Sequence, residues 1–223
     1  MKLTNYGRDV IIIVLVSTIA IDVVAFYINI LWLKLALISI SVLFFGFTLY
    51  FFRDPEREVP QGLNDNSILS AADGKVVLVD DIINEKYDVF EAGEKLKQLS
   101  IFLSPLNVHV NRIPVSGTVN YFEYIKGDYV VAFDHKSSDR NERTEIGILS
   151  LSGSKLIFKQ IAGFVARRIV CDIRKGDTVK SGDKFGMIKF GSRVDYIFKP
   201  STKIFVKVGD HVKAGETIIG ELC

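Results

Sequence analysis

The chain has 223 residues, 48% of them hydrophobic, with 28 basic and 26 acidic side chains and a net charge of +2. A balance this close to neutral lacks the basic footprint of a nucleic-acid binder. Its two cysteines, Cys171 and Cys223, have neither metal nor redox spacing, which excludes a disulfide scaffold and predicts free thiols.

The apolar residues are concentrated at the start. Val10 to Leu33 is interrupted only by Asp22, and Leu35 to Phe52 carries no charge. A bilayer span needs about 20 apolar residues, so residues 1–52 predict a membrane-anchoring hairpin of two helices that turns near Asn29 to Lys34. The region is too long for a cleaved signal peptide, and no small-residue cleavage site follows it. Lys2 and Arg8 precede the first span, Arg53 and Arg57 follow the second, and Lys34 stands alone in the turn. The positive-inside rule then places both ends, and the domain that follows, on the cytoplasmic side of a cell membrane. Asp22 is expected to face the partner helix or a headgroup, and Lys34 to snorkel from the turn. A hairpin that dips into one leaflet is the alternative geometry.

Residues 53–223 hold 25 basic and 24 acidic side chains. Arg53-Asp54-Pro55-Glu56-Arg57, with Pro60 and Gly62, reads as a linker. Beyond it, short apolar runs alternate with turn signals, and no long amphipathic helix appears, so the domain is expected to be mainly β, a barrel or sandwich. Candidate strands are Gly74–Val79, Leu99–Leu103, Gly117–Tyr124, Thr144–Leu151, Lys155–Ile161, Arg168–Asp172, Lys184–Phe190, Val194–Phe198 and Ile204–Val206, with Val110 to Ile113 extending another. Lys175 to Asp183 and Val208 to Glu216 share a Gly-Asp-x-Val-Lys-x-Gly-acid pattern. Such units occur in lipoyl and biotinyl carriers and also in merely structural adaptors.

Conventional catalytic apparatus is missing. His109, His135 and His211 are too scattered for a metal site, and there is no nucleophile elbow, phosphate loop or dinucleotide fingerprint. Phe190-Gly191-Ser192-Arg193 offers a less usual chemistry. A serine hydroxyl can attack the preceding carbonyl, and glycine there leaves the approach open. Elimination and hydrolysis then convert the serine to a pyruvoyl group, which bonds amines and accepts electrons. On its own the dipeptide reads equally as a turn between strands.

Six segments follow in order: Phe51 to Arg57, Ala72-Asp73-Gly74-Lys75-Val76, Ile101 to Arg112 with Pro114 to Gly117, Asn141-Glu142-Arg143, Gln160 to Gly163 with Ala166 to Ile169, and Phe190-Gly191-Ser192. On these segments the chain, from residue 50 onward, resembles the short form of phosphatidylserine decarboxylase. The resemblance implies a pyruvoyl-dependent carboxy-lyase, without metal, acting on a phospholipid through a Schiff base at position 192. It also implies self-cleavage of the Gly191–Ser192 bond into a β chain, 1–191, and an α chain, 192–223, that stay together as a heterodimer; further oligomerisation is left open. Asp73 matches an acidic residue of self-processing. His109 matches the first histidine of a His-x-x-His pair whose second position is Arg112 here, so a relay through that second histidine cannot operate. His109 then serves as general acid or base or as a structural histidine in an alternating Val-His-Val segment. Asp73 equally suits an Asp-Gly turn. Asn141 either holds the active-site loop or closes a turn, and Arg112, Arg167 and Arg168 are candidate contacts for the lipid phosphate.

Two other classes fit parts of the sequence. A membrane-tethered adaptor or carrier would use the repeated unit, with Lys189 of Met187-Ile188-Lys189 as the modified lysine. A decarboxylase of a soluble amino acid would have no need of the anchor. Within the lipid reading, an ether-linked archaetidylserine is as acceptable as an ester-linked lipid, since decarboxylation concerns only the serine.

Overall fold

In the computed structural model, residues 2–127, 141–163, 168–189 and 192–223 are described. The chain divides into two compact units, Met1–Glu56 and Arg57–Cys223.

The first unit is a helical hairpin. After a short 3₁₀ turn, α1 runs over Arg8–Phe26 and α2 over Leu31–Phe51, both long and apolar enough to cross a bilayer. The reversal falls at residues 27–30, shorter than the expected turn, so Lys34 lies in the first turn of α2. Its ammonium stands 5.3 Å from the centre of the Phe26 ring. Asp22 faces the partner helix, where Ser41 Oγ donates to Asp22 Oδ1 at 2.6 Å; in a hydrocarbon setting a polar group requires such a partner. The amide of Thr4 donates to the Phe52 carbonyl at 2.9 Å and that of Asp54 to the Lys2 carbonyl at 2.8 Å. The two ends of the hairpin are thereby tied together.

The second unit is β-rich. Its largest sheet, of eight antiparallel strands, has the spatial order β13-β2-β3-β11-β7-β6-β5-β9. In chain order these are β2 (Gly74–Ile83), β3 (Lys95–Leu103), β5 (Gly117–Ile125), β6 (Arg143–Ser150), β7 (Lys155–Ala162), β9 (Thr178–Val179), β11 (Ser192–Phe198) and β13 (His211–Val212). A second sheet joins β4 (Val110–Arg112), β10 (Lys184–Lys189) and β8 (Arg168–Cys171), and a third joins β1 (Ser67–Leu69), β14 (Ile218–Glu221) and β12 (Lys203–Ile204). Alternation sets the faces. Val194, Tyr196 and Phe198 enter the main core with Val76, Leu99, Ile101 and Leu103. Ile197 of the opposite face packs with Ile157, Leu96 and Tyr87.

Every candidate strand corresponds to an observed one, mostly with shifted ends. Val110–Arg112 extends no neighbour and pairs instead with β10 in its own small sheet. Strands β1, β9, β13 and β14 were not expected. They have two to four residues each, too short for a period-2 pattern to register.

The repeated unit is a structural repeat. Gly176, Gly182, Gly209 and Gly215 all have positive φ, and each copy lies against the start of a long hairpin. Val212 pairs with Gly74 and His211 with Lys75; Val179 pairs with Gly117 and Thr178 with Thr118. The amides of Gly209 and Gly176 donate to the carbonyls of Val76 and Val119, at 2.9 and 2.8 Å. Each hairpin begins with a glycine in close backbone approach: a Cβ at Gly74 would run into the Phe102 carbonyl oxygen, and one at Gly117 into that of Leu149. Gly117→Ala is therefore expected to force β5 from β6 and to cost about 1–3 kcal/mol, read as a lowered midpoint in denaturant unfolding.

Candidate functional site

Ser192 is the first residue of β11 and is paired on both sides, with Leu103 of β3 and Ala162 of β7. Phe190 and Gly191 lie outside the described residues, as does Arg167. Three segments converge on this strand end.

The first is the loop leaving β3. The Ser104 amide donates to Asn107 Oδ1 at 2.8 Å, a side-chain closure typical of turns, which delivers His109. Val108, His109 and Val110 are all buried, so the expected alternation is absent. His109 Nδ1 lies 3.0 Å from the Asn107 carbonyl. A carbonyl only accepts, so Nδ1 carries the hydrogen and neutral His109 has its lone pair on Nε2. The His109 carbonyl in turn receives the Ile188 amide at 3.4 Å, which sets this residue beside the strand that leads to Ser192.

The second segment is 70–73. The Ala71 carbonyl accepts from the Arg112 amide at 3.0 Å and from Asn111 Nδ2 at 3.2 Å. Gln160 donates to Asn111 Oδ1 at 2.9 Å and accepts from Thr144 Oγ1 at 2.8 Å. This buried polar chain fixes β4, and so His109, relative to Asp73. Asp73 itself is buried. Its Oδ1 receives the Ala214 amide at 2.8 Å, and its Oδ2 receives Arg57 Nη2 at 2.7 Å. Arg57 also reaches Glu216 at 3.2 Å. In the other repeat Ser116 occupies the position of Asp73, with Oγ accepting the Ser181 amide at 2.9 Å. One oxygen of Asp73 thus does the turn's work, and the second, with its arginine, is additional.

The third segment is Asn141-Glu142-Arg143. Asn141 Nδ2 donates to the Ala162 carbonyl at 2.8 Å, and the Ala162 amide donates to the Glu142 carbonyl at 2.9 Å. The Glu142 carboxylate accepts from the Tyr124 hydroxyl at 3.0 Å and the Ile169 amide at 3.3 Å. These bonds grip the end of β7 directly beside Ser192.

The arginines are placed differently. Arg112 is buried, donates from Nη1 to the Gly182 carbonyl at 2.8 Å, and lays its stem against Gly215. It clamps the two glycine turns together. Arg168 is exposed at the head of β8, opposite Lys189. Lys189 is buried within β10, whereas a carrier lysine must stand exposed on a turn. Arg193, next to Ser192, is buried and bound to Asp195 through Nε at 2.6 Å and Nη2 at 3.1 Å.

A cavity of about 580 Å³ opens beside this strand end, lined by Lys75, Phe102, Ser104, Asn107, Arg193 and His211 among others. Of these, Lys75, Arg193 and His211 were missed by sequence reasoning, as was Arg57. Arg57 lay in a segment read as linker, and only the placement of Asp73 gives it a role. The cysteines stand apart from the site. Cys223 is exposed and Cys171 half-buried, and burial pushes the Cys171 thiol up to about 11.

A family model described as phosphatidylserine decarboxylase matches residues 44–220. The chain is 47% identical over 186 residues to a phosphatidylserine decarboxylase proenzyme of Salinibacter ruber, covering 83% of this chain and 80% of that protein. It is 45% identical to one of Pelodictyon phaeoclathratiforme, covering 97% and 98%, and 43% identical to one of Prosthecochloris aestuarii, covering 98% and 96%.

Two outcomes follow from these environments. Arg57→Ala leaves the Asp73 carboxylate buried without its cation and is expected to cost about 3 kcal/mol, measured by denaturant unfolding of the full chain in detergent. At pH 8 a thiol raised to about 11 is almost wholly protonated. Iodoacetamide is therefore expected to label Cys223 well before Cys171, with the order lost on denaturation, as read by peptide mass.

Proposed function

This chain belongs to the phosphatidylserine decarboxylase family, and we propose that it removes CO2 from the serine headgroup of phosphatidylserine with a pyruvoyl group made from its own Ser192. The observation that carries this reading is the register of Ser192: first residue of a central strand, held on both sides, opposite Leu103 of β3 and Ala162 of β7.

Maturation begins when the Ser192 hydroxyl adds to the Gly191 carbonyl, forming a C–O bond as the C–N bond breaks. β-Elimination leaves Gly191 as a carboxylate and dehydroalanine at 192. Water then displaces the nitrogen, which departs as ammonia. A glycine at 191 presents no side chain to that attack. The two-sided pairing of β11 holds one partner of the reaction still, and the grip of Asn141 and Glu142 on Ala162 holds the neighbouring strand end. Asp73, positioned by Arg57 and the Ala214 amide, is the acid–base group for processing.

A pyruvoyl carbonyl supplies an electron sink to a substrate amine, as pyridoxal phosphate does elsewhere. The chain's own part in turnover falls to His109. Its Nδ1–H is committed to the Asn107 carbonyl, so Nε2 is the atom that takes up a proton and returns it to the α-carbon after CO2 leaves. Arg168, exposed at the head of β8, supplies a cation toward an anionic lipid surface. The hairpin keeps the enzyme at the membrane, with the domain on the cytoplasmic face that the flanking Lys2, Arg8, Arg53 and Arg57 favour.

The 192–223 segment contributes β11 to β14, of which β11, β13 and β14 pair with β3, β7, β2 and β1 of the remainder. The cleaved chains should therefore part only on denaturation. Intact mass under denaturing conditions is expected to show chains 1–191 and 192–223, the latter with a blocked N-terminus, while Ser192→Ala stays whole. Cyanoborohydride with phosphatidylserine is expected to attach the lipid to the 192–223 chain and to end activity. Cleavage of Ser192→Ala, or attachment to a lysine of the large chain, would overturn the proposal.

A further inference from the structure

The cavity beside Ser192 is built on one cross-strand row. Arg193 pairs with Phe102, Phe102 with Lys75, and Lys75 with His211. Residues directly opposite in antiparallel strands share a face, and all four line the cavity. The row lies one position from the one that joins Ser192 to Leu103. Ser104 and Asn107, which begin the loop carrying His109, complete the rim. The Arg193 row lies on the sheet face opposite to the Leu103 row, so a molecule filling the cavity borders Arg193, the residue after position 192, and reaches round the strand end at Ser104 and Asn107, where the His109 loop begins.

Among the described residues the lining carries Lys75, Arg193 and His211 and no carboxylate. Arg193 is committed to Asp195 and to Ser100 Oγ, the latter at 3.0 Å. Asp210, next in sequence to His211, turns Oδ2 onto the Lys207 amide at 2.9 Å. Lys75 and His211 are exposed at the mouth, and Lys75 has no ion-pair partner among the described residues. Phe102, Val77 and Val208 supply an apolar wall.

The internal repeat acts as a control. Where the first copy pairs Lys75 with His211, the second pairs Thr118 with Thr178 on the same backbone pattern. A threonine pair therefore satisfies the fold at this register, and the lysine and histidine are not required by it. At this pair of positions the first copy alone carries a cation and an imidazole, and both line the cavity.

We infer that Lys75 and His211 bind the phosphodiester of the substrate lipid, with Phe102 and Val208 taking the adjoining glycerol. This rests on the reading that the lipid amine reacts at position 192. In phosphatidylserine one methylene and one oxygen separate the α-carbon from phosphorus, so an anion site must adjoin the reacting centre. Lysine binds phosphate as a point charge, and the imidazole adds a directed donor. Free serine lacks the anion these groups recognise.

Lys75→Thr and His211→Thr, which copy the second repeat, preserve a residue pair the fold already accommodates. In the full chain each is expected to cleave into two chains as the parent does. In mixed micelles each should lower kcat/KM for phosphatidylserine about tenfold, carried by KM, as loss of one charge-assisted bond predicts, and Lys75→Arg should recover most of it. A second arm dispenses with the pyruvoyl group. Full-length Ser192→Ala should bind dihexanoyl phosphatidylserine about tenfold more tightly than Ser192→Ala/Lys75→Thr, while free serine binds both equally weakly. Equal lipid affinity in that pair overturns the phosphate site. Failure of the wild type to cleave strikes the Ser192 reading instead and leaves the binding arm to decide.

Discussion

The two-sided hydrogen bonding of β11 is the constraint from which the rest of the catalytic unit follows. Ser192 to Ile197 pair with both β3 and β7, so the strand cannot shift along its axis without breaking two ladders. Its faces are equally committed. Val194, Tyr196 and Phe198 are core residues, and Arg193 and Asp195 form a buried pair on the other side. Slipping the register by one residue would drive that pair into the core and the aromatics out. Position 192 is thus fixed by the remainder of its own strand. The self-cleavage proposed before Ser192 would remove one covalent link and leave the ladders of β11 intact.

The internal repeat lets one copy of the turn–strand–turn unit be compared with the other. Two hairpins, β2–β3 and β5–β6, are each closed by a turn–strand–turn unit with equivalent glycines and equivalent backbone bonds. At the second copy the positions are filled by Ser116, Thr118 and Thr178, small groups that complete turns. At the first copy they are Asp73, Lys75 and His211. The same scaffold has one copy that is structurally sufficient and one that carries charge. Buried charge costs stability unless paired, and Arg57 meets that cost for Asp73 at 2.7 Å. Arg112 serves both copies, bonding the Gly182 carbonyl of one turn and packing on Gly215 of the other. An arginine at this position is understandable as a clamp between turns, a task that a shorter histidine could not reach.

Much of this was legible in the residues. The apolar runs marked both helices because hydropathy over about 20 residues is a strong signal; for Asp22 the residues left the partner helix and a headgroup both open, and the Ser41 hydrogen bond puts it on the partner helix. The long strands were legible from alternation and turn residues. The shortest strands were not, since β9 and β13 have only two residues each and owe their existence to the hairpins they close. The Gly-Asp repeat was visible as a pattern, yet its partners, Gly74 and Gly117, lie far away in sequence and share too little with it to betray the pairing. Arg57 was hidden for the same reason: its role depends on Asp73 and Glu216, and nothing local in Arg-Asp-Pro-Glu-Arg points to either. Lys75 stood in a recognised segment, but a lysine two residues after an aspartate carries no signal until its cross-strand neighbours are known.

The anchor and the cavity can be understood together. A lipid's tails stay in the bilayer while its headgroup is processed, so the enzyme has no need to extract or bind the whole molecule. Tethering by the hairpin makes the encounter effectively intramolecular, with a local concentration far above that of free diffusion. A pocket working at such concentrations needs little affinity, and one that bound strongly would hold the product as well as the substrate, because both carry the same phosphate. A cavity with one uncommitted lysine, one histidine and an apolar wall suits that requirement. It selects for the phosphodiester through charge, while a product that differs only by the lost carboxylate is not retained by a deep cage of arginines. Arg193, the one arginine in the lining, is held by Asp195 at 2.6 Å, and this pairing keeps its charge from adding to the grip. On the proposed reading, anchoring by the two apolar helices permits weak binding at the site, and turnover would depend on both.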